Sequence, residues 1–416
     1  MATEEGIRLS VRAALARRST ILKNTVRLIP AFVIIAATLN TLSCSNNGLL
    51  PQSGSGGSGS PTATATSGTG ALAFVTNFND GKVSSFTRNV TTGVLKHSAQ
   101  VTAGAKKGPL GLVAAPSGSF LYVANNSDGN IYQFSINPTS GVLTPLSPAS
   151  VSNGSGSGPN EIAINPAGTF LWVTGSIKGT VTAYSINSST GQLTQISTKV
   201  SGLTSPLGIT VDPTGTYVYV ADNGAGLVFS FSINADGTLT QIGSGVPDLG
   251  GSGGSPGFIA VDPGGGFIYV TDLNAGVLGV LSTTSGALAF FSTVPTTTTG
   301  NKPIGIGYAA VTSVGNFVFT ANQAVSTLWS FLITSPGFPS TPVETPSTGL
   351  NAPTGLVVDP QVAFLYVTNQ NAGTVSQFAL TSTCLNTGAP CLVNSPVATE
   401  SPANANSGPY GIILAQ

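Results

Sequence analysis

One glutamate interrupts a repeated glycine. Glu161 closes the triplet Pro159-Asn160-Glu161, where Pro109-Leu110-Gly111, Pro206-Leu207-Gly208, Pro303-Ile304-Gly305, Pro353-Thr354-Gly355 and Pro409-Tyr410-Gly411 carry glycine. A carboxylate can serve as a general base, a proton donor or a metal ligand. A repeat exception is a better pointer to function than a repeat rule, the alternative being drift of a single repeat. The other polar residues that could line the same face are Asn77, Asn125, Asp222, Asp272, Asn322 and Asn369, with Gly175 at the seventh equivalent position. Asp80 and Asp128 follow in the corresponding turns, and Lys178 and Lys302 lie in nearby loops. Asn and Asp also bond their own backbone in turns, and their regular spacing favours that role over ligand binding. Glu161, Asp222 and Asp272 would suit Ca²⁺, which takes oxygen ligands. No other metal or cofactor motif is present.

The remaining chemistry is sparse. His97 is the single histidine and follows Gly93-Val94-Leu95-Lys96, which places it on an outer strand away from any central site. A Ser/His/Asp set is therefore excluded there. Arg88 is the one arginine after residue 30, also on an outer strand or turn. The Gly-Ser-Gly stretches at 153–158 and 250–255 lack the Lys-Ser/Thr ending of a phosphate loop.

These residues sit on a repeated scaffold. Each unit opens with Pro-x-Gly and an apolar strand, then an aromatic strand, a glycine turn, a strand ending near Ser-Ile-Asn, and a Gly-x-Leu strand. The opening prolines are Pro109, Pro159, Pro206, Pro256, Pro303, Pro353 and Pro409, spaced by 50, 47, 50, 47, 50 and 56 residues. The aromatic strand also occurs seven times, as Phe74-Val75-Thr76-Asn77, Tyr122-Val123-Ala124-Asn125, Trp172-Val173-Thr174-Gly175, Tyr219-Val220-Ala221-Asp222, Tyr269-Val270-Thr271-Asp272, Phe319-Thr320-Ala321-Asn322 and Tyr366-Val367-Thr368-Asn369. Apolar runs bounded by turn residues read as strands. The two series are offset: the first aromatic strand has no Pro-x-Gly strand before it, and the last Pro-x-Gly strand has no aromatic strand after it. The expectation is an all-β, seven-bladed propeller over 71–416, closed by pairing of the strand at Pro409 with the strands of 71–96.

The Tyr-Val-Thr-Asn strand resembles that of the YVTN-repeat propellers, and the repeat length resembles that of the seven-bladed lactonases of the 6-phosphogluconolactonase type. The resemblance implies a propeller and, at the level of activity, hydrolysis of a sugar lactone. Such lactonases carry His, Arg and Glu near the channel; here only Glu161 matches that set.

Composition bounds the setting. Charged residues are 7% of the 416, far below the usual quarter. Residues 1–30 hold six basic and two acidic side chains, leaving eight basic and twelve acidic for the rest. No basic patch exceeds Lys106-Lys107, which argues against nucleic acid as a partner. The basic stretch precedes the apolar run at 28–39, too short to span a bilayer, and the pattern reads as an export signal over 1–43. Ser43-Cys44 resembles the end of a lipoprotein signal, with plain secretion as the alternative. Residues 44–70 are a Gly/Ser/Thr/Pro tether. Cys384 and Cys391 enclose a turn-rich loop and are expected to form a disulfide rather than a metal pair.

Two functions follow as expectations. The first is a monomeric binding module at the cell envelope, in periplasm or at the outer surface, for a small polar ligand, a sugar or an envelope protein. It touches membrane only through the lipid anchor. The alternative is a lactonase-type hydrolase.

Overall fold

Seven four- or five-stranded antiparallel sheets form the blades of the propeller seen in the computed structural model. The structure describes residues 72–415 apart from 105–107, 197–199, 250–253, 296–302, 312–314, 335–336, 341–342, 346–348, 360–363, 381–397 and 401–406. Among them no helix is long and apolar enough to cross a membrane.

Each blade runs outward from a strand that opens with proline, followed in five of the seven by x-Gly. The inner strands are Pro109–Ala114 in blade 2, Pro159–Ile164 in blade 3, Pro206–Val211 in blade 4, Pro256–Val261 in blade 5, Pro303–Val311 in blade 6 and Pro353–Val358 in blade 7. Blade 1 is composite. Its inner strand, Pro409–Ala415, pairs with Leu72–Asn77, followed outward by Lys82–Arg88 and Leu95–Thr102. The register sets Leu72 opposite Ala415 and Phe74 opposite Ile413. The offset between the two repeat series is thus resolved as expected, by a sheet drawn from both ends of the array.

The aromatic strand explains why blades pack. Its side chains alternate between the two faces of the sheet, and both faces are covered. Leu121 and Val123 join Leu72 and Phe74 in an apolar cluster between blades 1 and 2. Tyr122 and Ala124 join Leu171, Val173 and Tyr184 between blades 2 and 3. The same division recurs at every interface, giving seven inter-blade cores around the ring.

Polar atoms of the motif latch onto the next blade. Tyr122 Oη donates to Gly191 O at 2.7 Å, Trp172 Nε1 to Gly237 O at 3.0 Å, Tyr269 Oη to Gly337 O at 3.1 Å and Tyr366 Oη to Gly93 O at 2.6 Å. The motif threonine works nearer the axis. Thr368 Oγ1 accepts from Gly355 N in its own blade at 2.8 Å and donates to Tyr410 O of the next at 2.7 Å. Thr76 and Thr174 repeat this bridge to Leu110 O and Leu207 O. The inner-strand glycines are needed because neighbouring strands nearly touch. A Cβ on Gly305 would stand 2.2 Å from Thr354 O, and one on Gly355 2.3 Å from Tyr410 O.

Arg88 is not at the surface. Its guanidinium pairs with Asp359 at 3.1 Å, both side chains fully buried, and ties blade 1 to blade 7 at the closing interface.

Candidate functional site

The inner strands surround a cavity of ≈ 160 Å³ on the propeller axis. That is the order of size that holds a benzene ring. The third residue of every inner strand reaches its wall: Gly111, Glu161, Gly208, Phe258, Gly305, Gly355 and Gly411. Five glycines and two large side chains therefore share one ring. Tyr410, one position earlier on the blade 1 strand, adds a third large group. Glu161, Phe258 and Tyr410 come from blades 3, 5 and 1, so each is separated from its neighbour by at least one glycine-bearing blade. Glycine on the intervening strands leaves them room. The Glu161 carboxyl lies directly against Gly111, where a Cβ would meet its Oε2 at 2.7 Å. The rings of Phe258 and Tyr410 meet across the channel with centroids 6.4 Å apart and planes tilted by 49°.

The backbone of Glu161 is fixed from behind. Its N–H donates to Thr174 Oγ1 at 3.0 Å, and the same hydroxyl donates to Leu207 O of blade 4. Phe258 N is held likewise by Thr271 Oγ1 at 3.0 Å. Rigid second strands thus aim the cavity side chains.

Electrostatics single out Glu161. Burial pushes its carboxyl up to about 8, against the opposing pull of the Ile162 N–H. Burial also raises the Tyr410 phenol, and the nearby Glu161 charge adds to that push. Tyr410 therefore stays a hydrogen-bond donor at any working pH. The rest of the wall is Leu112, Ile209, Ile259, Ile306, Leu356 and neighbouring aliphatics, with Thr354 the only other polar side chain. Thr354 Oγ1 is already engaged with Thr368 Oγ1 and the carbonyls of Pro409 and Tyr410.

The other sequence candidates do not join this cavity. Asn77, Asn125, Asp222, Asp272, Asn322 and Asn369 are fully buried. Asp222 accepts from Thr204 N and Ser205 N at 2.7 Å, and Asp272 from Ser255 N, Asn274 N and Ala275 N. Asn125 donates to Ala103 O and accepts from Ser127 N and Asp128 N. Asn369 Oδ1 accepts from Asn351 N, and its amide donates to Ser376 Oγ. Asn77 and Asn322 donate to Ser84 Oγ and Thr327 Oγ1. Asn125, Asp222, Asp272 and Asn369 thus pin the segments that enter their blades, while Asn77 and Asn322 bond within their own blades; all six are buried, and turn chemistry explains the repetition. With Asp222 and Asp272 turned to loop amides, the three carboxylates considered for Ca²⁺ do not gather. Among the described residues no cluster of three or more His, Cys, Asp or Glu could hold a metal ion. Lys178 is exposed, and Lys302 lies outside the described residues, as do Cys44, Cys384 and Cys391. His97 sits on the outermost strand of blade 1 against Phe86, ring centroids 5.4 Å apart.

Phe258 and Tyr410 were not singled out from the sequence: Tyr410 stands at the middle position of its triplet, and Phe258, although at the third position, carries no ionisable group. In Pro256-Gly257-Phe258 the glycine has moved one place earlier, which is the same kind of exception as Glu161.

Geometry and topology together define a seven-bladed propeller with a small axial cavity carrying one carboxyl. The family model described as "Lactonase, 7-bladed beta-propeller" matches residues 70–207 and 208–404, so the chain belongs to that family. Solved structures agree on the fold. A Lactobacillus plantarum protein is 19% identical with a TM-score of 0.69, covering 83% of this chain and 99% of its own. A putative 6-phosphogluconolactonase from Bacteroides fragilis is 17% identical with a TM-score of 0.69, covering 85% and 99%. The periplasmic gluconolactonase of Pseudomonas aeruginosa is 18% identical with a TM-score of 0.68, covering 83% and 99%. No curated protein matches the chain.

Proposed function

We propose that the protein hydrolyses a lactone in the axial cavity, with Glu161 as the acid–base group. The observation that carries this reading is a lone carboxyl on the cavity wall whose proton affinity has been brought near neutrality. A general base works best with a pKa near the operating pH. In the proposed step the Glu161 carboxylate takes a proton from water as the water oxygen attacks the lactone carbonyl carbon. The carbonyl π electrons move to its oxygen, which accepts a hydrogen bond from the Tyr410 hydroxyl. Collapse restores the C=O and breaks the ring C–O bond. The leaving ring oxygen takes the proton from Glu161, giving the open hydroxy acid and the regenerated carboxylate. Family membership supports the reaction class.

Because the Glu161 pKa is raised, the base form is scarce below about 8 and populated above it. Activity should rise with pH to a plateau above 8. Glu161→Gln should lower kcat/KM by about 100-fold or more and remove that dependence. A wild-type protein that leaves lactones at the uncatalysed rate would refute the hydrolase.

A second reading is a binding module in the same cavity. It is favoured by the lack of Lys, Arg or His among the described lining residues, of which Tyr410 is then the one to face a developing oxyanion. The envelope setting belongs to either reading. It is supported by the pattern of 1–43 and the tether of 44–70. Cys44→Ser should release the protein from the membrane fraction if Cys44 carries lipid. Non-reducing alkylation should leave Cys384 and Cys391 unlabelled if they are bridged.

A further inference from the structure

We infer that the substrate is an uncharged lactone, small enough to lie with one ring face against Phe258 and Tyr410, and that phosphorylated lactones are turned away. The inference rests on the lactonase reading and narrows it.

Charge is the first ground. Among the described residues, those lining the cavity include one carboxylic acid, Glu161, and no Lys, Arg or His. A phosphate dianion entering this wall would lose water without gaining a counter-charge. Burying an unpaired ion is among the costliest events in a protein interior. Protonated, Glu161 offers one donor; ionised, it repels. The one arginine of the propeller cannot help, since Arg88 is closed in the ion pair with Asp359 between blades 1 and 7.

Size and shape are the second ground. A cavity of ≈ 160 Å³ suits a single five- or six-membered ring. The two aromatic rings, 6.4 Å apart and tilted against each other, give the wall an apolar patch drawn from blades 5 and 1, while Glu161 comes from blade 3. The polar side chains open to a ligand are Glu161 and Tyr410, enough to hold one water and one carbonyl oxygen. The glycine-lined strands keep the remaining wall close and smooth.

The test uses the full-length chain and compares δ-valerolactone, glucono-1,5-lactone and 6-phosphoglucono-1,5-lactone by pH-stat. Calorimetric binding of δ-valerolactam and 6-phosphogluconate runs in parallel. The expected result is turnover of at least one uncharged lactone, with kcat/KM for the phosphorylated one lower by about 100-fold, and binding of the lactam but not the phosphate. A phosphorylated lactone turned over within tenfold of the best uncharged one overturns the inference and leaves the hydrolase standing. If no lactone is turned over, the hydrolase reading falls and this inference falls with it. Where an uncharged lactone is turned over, binding of 6-phosphogluconate as tight as that of the lactam overturns the inference alone.

Discussion

A second buried acid gives the protein a dependence on pH that is separate from catalysis. Asp248 is fully buried beside Asp272, and burial together with the Asp272 carboxylate raises it from 3.8 to about 7. The folded state therefore holds this proton more tightly than the unfolded chain does. Its contribution to stability is complete below about 4 and is lost as pH rises toward and through 7. Urea denaturation of wild type should show stability falling across that interval. Asp248→Asn should flatten the curve and leave the variant the more stable of the two at pH 8. A wild-type curve without that slope would mean that Asp248 is not held protonated in the folded state. None of this was legible in the sequence. Asp248 sits outside the repeat motifs, and its partner, Asp272, looked like one more turn residue. Glu161 was legible because a carboxylate replaced a glycine that neighbouring strands require. Tyr410 was hidden because the middle position of the triplet varies freely, holding Leu, Asn, Gly, Ile, Thr and Tyr.

The strand that carries the Tyr-Val-Thr-Asn motif is the working element of the fold. Its aromatic residue holds the outer turn of the next blade, and its threonine holds the inner strand of the next blade. The repeat spacing and the seven occurrences were enough to predict the blades and their closure, because both reflect local strand and turn chemistry. The latches were not predictable, since a sequence does not say which distant carbonyl a hydroxyl meets. Thr368→Val should cost about 1–3 kcal/mol in denaturation, because it removes the partner of the half-buried Gly355 N and a donor to Tyr410 O. Tyr122→Phe should cost about 1 kcal/mol through loss of the bond to Gly191 O. Thr174→Val should act on function as well, because Thr174 fixes the Glu161 backbone. It should lower kcat more than the equivalent change at Thr76, which supports a glycine.

On the scale of the whole ring, closure rests on two joints of different chemistry. One is the composite sheet of blade 1, where Gly411 N donates to Thr76 Oγ1 across 335 residues of sequence. The other is the Arg88–Asp359 pair between blades 7 and 1. Arg88→Ala should destabilise by about 3–5 kcal/mol, because it strands a buried carboxylate. The double variant Arg88→Met with Asp359→Leu should recover most of that loss. Removing residues 409–416 should abolish cooperative melting, since it strips the inner strand from blade 1 and opens the cavity wall. A permuted chain that joins Ala415 to Leu72 by a short turn and begins between strands Leu95–Thr102 and Pro109–Ala114 should fold and melt like the parent, because Leu72 and Ala415 already face each other. If the permutant fails while the truncation folds, the composite blade is not what secures the ring.

The composite blade also sets an order of events during synthesis. When the Leu72–Asn77 strand leaves the ribosome, its inner edge has no mate until Pro409–Ala415 has been translated. A product stopped anywhere short of residue 409 keeps that edge bare and is open to proteases. Pairing with Pro409–Ala415 is thus what covers the open inner edge of Leu72–Asn77, so a chain lacking those residues should be the more aggregation-prone.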